Sequence, residues 1–181
     1  MIALLRSWGI KTAWLPVLAA LLPLDVAVAQ DNAGIFFYGP APSVEQITAA
    51  AKGARTEARR EGDRTRITAS WPDVTLVISI DPSWNRDVQL SGMRGWIGRF
   101  GAAYRNSPDV GAFLADLDRT TASYGSVTTP AFDRESKAVA TLLRLLESTG
   151  GFLFSHQSFY DSQGRKIIGL PGDPQQLGPR R

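Results

Sequence analysis

Ser155 and His156 are neighbours in the stretch FLFSHQSFYDSQG (152–164), and Tyr160 and Asp161 follow a few positions on. A hydroxyl, an imidazole, a phenol and a carboxylate are the groups from which acyl transfer or general acid–base catalysis is assembled. His156 is the only histidine in the chain, so any imidazole chemistry rests on it. In an extended strand from Phe152 to Tyr160, side chains alternate between two faces. His156 then shares a face with Phe152, Phe154, Ser158 and Tyr160, while Ser155 points the other way. The expectation is a histidine packed into an aromatic wall, with Ser155 unable to act as its nucleophilic partner. Asp161-Ser162-Gln163-Gly164 ends the strand in a type I turn, with Asp first and Gly last.

Other chemistries have weaker footholds. The chain contains no cysteine, which removes disulfides, thiolate metal ligands and cysteine nucleophiles together. It has no HExxH zinc motif, no GxSxG nucleophile elbow and no D-x-[DN]-x-[DN]-G calcium loop. Asp116 and Asp118, two apart on a short helix, diverge by about 200° around its axis and make no local acid/base pair. Carboxylates brought together from distant segments stay open. Gly92, Gly95, Gly98 and Gly101 recur every third residue but lack the spacing and the lysine of a phosphate-binding loop. They read as places where another backbone comes close to a helix. No catalytic, metal-binding or cofactor-binding residue is assigned, and no cofactor is expected.

The elements that must position these groups follow from periodicity. GIFFY (34–38) is a short strand stopped by Gly39-Pro40. Ser43 and Gln46 have capping-box spacing, and Val44, Ile47, Ala51, Ala54 and Ala58 recur at helical intervals, predicting a helix over 43–61 that Gly62 ends. In RTRITASWPDVTLVISID a turn at Pro72-Asp73 opposes Trp71 to Val74, Ala69 to Leu76, Ile67 to Ile78 and Thr65 to Ile80. Every pair then lies on one apolar face, and Arg64 meets Asp81 across the other; a slip by one residue destroys both matches. Leu90, Met93, Ile97, Phe100 and Tyr104 form a second helical stripe. Ser107-Pro108-Asp109 starts a helix carrying Val110, Phe113, Leu114 and Leu117. Residues 120–129, rich in Thr, Ser and Gly, read as a loop. A helix over 130–149 buries Phe132, Val139, Leu142, Leu143 and Leu146 and stops at Gly150-Gly151.

The predicted fold is α+β: an antiparallel sheet built from two hairpins, with helices packed on one face. Helix-then-hairpin occurs twice, and Tyr38-Gly39 and Tyr124-Gly125 precede the two helices, which suggests a degenerate αββ duplication. The tail from 171 to 181 has no apolar periodicity and is expected to be disordered.

The first 29 residues resemble an export segment: Arg6 and Lys11, then an apolar run from Ala13 to Leu24, then Ala27-Val28-Ala29. That run is shorter than the ~20 residues a membrane-spanning helix needs. The expected mature domain is 30–170, periplasmic or secreted, with no stable membrane insertion. The formal net charge of +3 is small, and Arg55, Arg59, Arg60, Arg64 and Arg66 interleave with Glu57 and Glu61. The run is therefore a solvated face, and no nucleic-acid partner is expected. Trp84 stands in a polar segment and, with Arg86 and Arg94, is the expected contact surface where the first hairpin meets residues 84–94. The functional expectation is a non-catalytic binding or interaction module for a protein partner or small ligand. The alternatives are a cofactor-independent hydrolase using carboxylates with His156 assisting, and a subunit of an envelope assembly packed through the glycine-lined helix.

Overall fold

The computed structural model describes residues 31–83, 85–100, 108–130 and 136–178. In chain order these form β1 (Asp31–Phe37), α1 (Val44–Ala50), β2 (Arg55–Glu61), β3 (Arg64–Ser70), β4 (Thr75–Ile80) and α2 (Arg86–Phe100). There follow α3 (Pro108–Leu117), β5 (Ala122–Thr129), α4 (Lys137–Thr149), β6 (Gly151–Ser155), β7 (Ser158–Asp161) and β8 (Lys166–Ile168). The strands make one eight-stranded sheet in the order β2-β3-β4-β5-β1-β6-β7-β8, antiparallel throughout. The protein is thus a mixed α+β fold.

The β3–β4 ribbon has the register that the apolar alternation demands: Thr65 opposes Ile80, Ile67 opposes Ile78, and Ala69 opposes Leu76. Trp71 N–H closes the turn onto the Val74 carbonyl at 2.9 Å. Arg64 and Asp81 meet at 2.7 Å. The buried side of this ribbon joins a core with Ile35, Phe37, Ile47, Val139, Leu142 and Leu146, so α1 and α4 cover that face. The capping box also forms, with Ser43 and Gln46 each accepting the other's backbone N–H.

Several expectations are overturned. Helices lie on both faces of the sheet, not one. Phe36, Phe152 and Phe159 point away from the first core and build a second with Leu90, Met93, Ile97, Val110, Phe113 and Leu117, which α2 and α3 supply. The helix expected over 43–61 stops at Ala50, where Ala51 turns the chain and Gly53 takes φ +72°. Residues 55–61 are instead the edge strand β2, joined to β3 by a two-residue turn at Gly62-Asp63. The small alanines that suggested a helix carry little apolar area either way, so they could not hold one. Residues 122–129, expected as a loop, form β5 in the middle of the sheet, and Tyr124, Ser126 and Thr128 are buried there. The glycines of α2 do not admit a neighbouring backbone: at Gly92, Gly95 and Gly98 an added Cβ would meet nothing within 4 Å. Phe132, Tyr104 and Gly101 lie outside the described residues.

The tail expected to be disordered is packed over 171–178. Lys166 N–H bonds the Gln175 carbonyl, Leu177 N–H bonds the Gly164 carbonyl, and Leu177 is buried. Lys166 Nζ holds the carbonyls of Leu170 and Asp173, and the Ser158 hydroxyl donates to the Asp173 carboxylate. Polar contacts made by a single apolar anchor carry no sequence periodicity, so composition alone misread this segment.

Candidate functional site

His156 lies on no strand face. Residues 156 and 157 are the two-residue turn between β6 and β7, both at positive φ (50° and 64°) and both exposed. Two positive-φ residues in a two-residue loop make the turn that matches the twist of a hairpin, a position that favours Asn-Gly. The expectation of a histidine in an aromatic wall therefore fails. So does the separation of Ser155 from His156: the Ser155 hydroxyl lies 2.9 Å from His156 Nδ1. Ser155 is itself buried on the α1/α4 face of the sheet, paired with Ala33 and Ser158.

The larger cavity, about 580 Å³, lies on the opposite face. Tyr38, Phe113, Asp116, Asp161, Arg165 and Lys166 line it, drawn from the residue after β1, from α3 and from the β7–β8 hairpin. Its charges are mutually engaged. Asp116 pairs with Arg119 at 2.9 Å, and that guanidinium lies 5.1 Å above the Tyr38 ring. Asp161 accepts from the N–H groups of Gln163 and Arg165 and from Arg165 Nε, all between 2.8 and 2.9 Å. Burial pushes the Tyr38 phenol up to about 12; the Asp116 charge adds to the rise and Arg119 opposes it. Asp116 and Asp118 diverge as the sequence implied, Asp118 accepting from Arg94 instead.

A second hollow, about 380 Å³, opens where the first hairpin meets the start of α2. Three strands bring small residues side by side in its floor, where Gly34 opposes Gly125 and Gly125 opposes Ser79, with Phe36 opposite Ser123 beside them. Asp81, Ser83, Asn85, Val88 and Gln89 form the outer wall. Val88 is 65% exposed, an unusual degree for a large apolar side chain in this chain. The Phe36 ring leans over Gly34, where an added Cβ would come within 2.7 Å of it. At Gly125 a Cβ would meet nothing within 4 Å, so this part of the floor is open. Hydrogen bonds from the Ser83 hydroxyl and N–H, followed by the Arg64 guanidinium, hold the Asp81 carboxyl below its usual range. Asp81 thereby fixes the wall through the turn it closes.

Of the expected contact residues, Trp84 lies outside the described residues. Arg86 and Arg94 converge on one place. Arg86 donates to the Thr120 carbonyl at 2.8 Å and to the Asp118 carbonyl, and Arg94 bonds the Asp118 carboxylate. Both cations sit at the carbonyl end of α3, where a helix dipole favours positive charge, and tie α2 to it. The hollow's floor is not legible in the sequence, because its residues come from three separate strands. The available signal was a lone glycine inside each of GIFFY and SYGSV, which marks close approach to a backbone.

Among the described residues, no group of three His, Asp or Glu side chains comes together so as to hold a metal ion. None of their helices is long and apolar enough to cross a membrane. No family model matches the chain, no curated protein matches it, and no solved structure matches its fold.

Proposed function

We propose that the protein is an exported, non-catalytic binding module of the cell envelope or extracellular space, and that its ligand enters the hollow over Gly34, Ser79, Ser123 and Gly125. The open floor at Gly125 carries this reading. Small residues on three adjacent strands leave the sheet backbone approachable, beside an exposed Val88 and the hydroxyl and amide groups of Ser83, Asn85 and Gln89. Such a lining suits an uncharged, hydrogen-bonding ligand with one apolar side, or a protein segment of that character. Arg86 and Arg94, on the same helix as Val88 and Gln89, belong to the proposed contact surface. Export rests on the N-terminal segment, which favours a periplasmic or secreted product. The same reading takes the chain as a degenerate duplication, because the order β-α-β-β-β occurs twice, as β1–β4 around α1 and as β5–β8 around α4.

The test is a native mass spectrum of the protein purified from its own host, beside a Gly125→Leu variant. An added Cβ at 125 meets nothing within 4 Å, so leucine there should occupy the hollow with little change in the melting curve while a retained molecule or partner is lost. Retention by the variant equal to the parent would refute the site. The hydrolase alternative draws on the Ser155–His156 contact. It would be favoured if ester or amide hydrolysis disappeared in His156→Ala and survived in Gly125→Leu.

A further inference from the structure

The outer edge of β2 ends the sheet, and among the described residues no strand lies beyond it. Gly62 at φ +64° occupies the first position of the two-residue turn, and Glu61 and Arg64 are the pair that closes it. In such hairpins the closing pair is hydrogen-bonded, and bonding then alternates along the strand. Glu61, Arg59, Glu57 and Arg55 therefore bond β3, while Arg60, Ala58 and Thr56 turn their N–H and C=O groups outward. On one face of the strand Arg55, Glu57, Arg59 and Glu61 stand in line, all exposed.

We infer that β2 is a self-complementary edge that pairs antiparallel with β2 of a second copy of this chain, about a two-fold axis through Ala58. In that register Arg55 faces Glu61 of the second copy and Glu57 faces Arg59, each in both directions. Thr56 faces Arg60, and Ala58 faces itself with only a methyl group on each side. The outward groups of residues 56, 58 and 60 then exchange both of their hydrogen bonds with those opposite. Glu57 and Arg59 fall in the non-hydrogen-bonded positions, where opposed side chains come closest. A two-fold axis perpendicular to the sheet preserves its faces, so a shift by one residue is forbidden. A shift by two sets Glu57 against Glu61 and Arg59 against itself, or Arg55 against Arg59 and Glu57 against itself. Both alternatives oppose like charges, which destabilises a cross-strand pair.

Charged edges ordinarily prevent strand pairing. Here the alternation repels at both two-residue offsets, and the four-residue offsets keep only two of the four unlike-charge pairs that the full register makes. Within a single chain the charges are incompletely matched. Arg59 reaches Glu57 only at 3.6 Å and stands opposite Arg66 on β3, and Arg66 reaches Glu61 at 3.5 Å. A single strand pairing buries less area than a standard interface, so the dimer should form with a Kd on the order of 1–100 µM.

Sedimentation equilibrium of the purified protein, with Arg59→Glu and Glu57→Arg variants, tests the inference. Each single substitution places like charges opposite one another twice and should weaken the dimer by roughly tenfold to a hundredfold. Arg59→Glu also replaces a like-charge neighbour of Arg66 by an opposite one, so folding should not suffer. An equimolar mixture of the two variants restores every opposed pair and should form a heterodimer about as tightly as the parent pairs with itself. The double variant Glu57→Arg/Arg59→Glu should likewise dimerise. A parent protein monomeric at about 1 mM, single variants that dimerise as well as the parent, or a mixture that stays monomeric would each overturn the inference.

Discussion

The ribbons β3–β4 and β6–β7 are both tight antiparallel hairpins in the same sheet, yet they meet their surroundings differently. Behind β3–β4, Ile67, Ala69, Leu76 and Ile78 are buried, while on the other side Arg66 is exposed and Thr68, Val77 and Ser79 are half-buried. Around β6–β7 both sides are covered. Leu153, Ser155, Ser158 and Tyr160 face α4, and Phe152 and Phe159 face α2 and α3. A ribbon with one wet side writes its register into the sequence as alternation; a ribbon packed on both sides does not. That difference explains why the first pairing was readable residue by residue while the second passed for a continuous strand through His156.

The comparison sharpens into measurements. Phe152 stacks on Phe36 at 4.7 Å and meets Phe113 edge-on at 5.0 Å, wholly buried. Phe152→Ala should cost about 3–5 kcal/mol, against about 2–4 for Ile78→Ala in the one-sided ribbon. Urea titrations of both variants compare them directly, and the reverse order would deny that the doubly covered ribbon is the better-packed one.

Next in size is an alkaline effect to which the second ribbon contributes through Tyr160. Burial pushes the Tyr160 phenol up to about 12; a bond with the Ser158 hydroxyl opposes the rise and the Asp173 charge adds to it. A group whose pKa rises on folding lends stability that is complete below its unfolded value near 10 and fades as the pH climbs towards 12. Stability should therefore fall above pH 10, Tyr160 contributing up to about 2 kcal/mol of the loss beside Tyr38, and Tyr160→Phe should make that part of the profile shallower. The smallest effect concerns the turn. Replacing His156-Gln157 by Asn-Gly relieves two positive-φ side chains and should raise stability by about 0.5–1 kcal/mol in the same titrations. A loss instead would mean that the Ser155–His156 contact outweighs the backbone strain.

The residues that were misread share a physical cause. β5 is ASYGSVTT, whose buried positions are a tyrosine, a serine and a threonine; the Tyr124 hydroxyl bonds the Pro42 carbonyl and Ser126 bonds the Ala33 carbonyl. Polar residues in the middle of a sheet look like loop residues until the partners of those two hydroxyls are known. β2 has water on its outer edge and no apolar row to mark it. At the candidate hollow, Asp81, Ser83, Asn85, Val88 and Gln89 lie close together in the chain. Gly34 and Gly125 come together only through strand pairing across more than half the chain.

The position of β1 bears on how the molecule comes into being. The first described strand to leave the ribosome is inserted between β5 and β6, pairing with Ala122–Thr128 on one side and Gly151–Ser155 on the other. Until the chain has been synthesised through Ser155, the middle of the sheet cannot close, and Leu177 must still emerge to complete the inner core. The nascent polypeptide therefore stays open to chaperones and proteases until those segments are available.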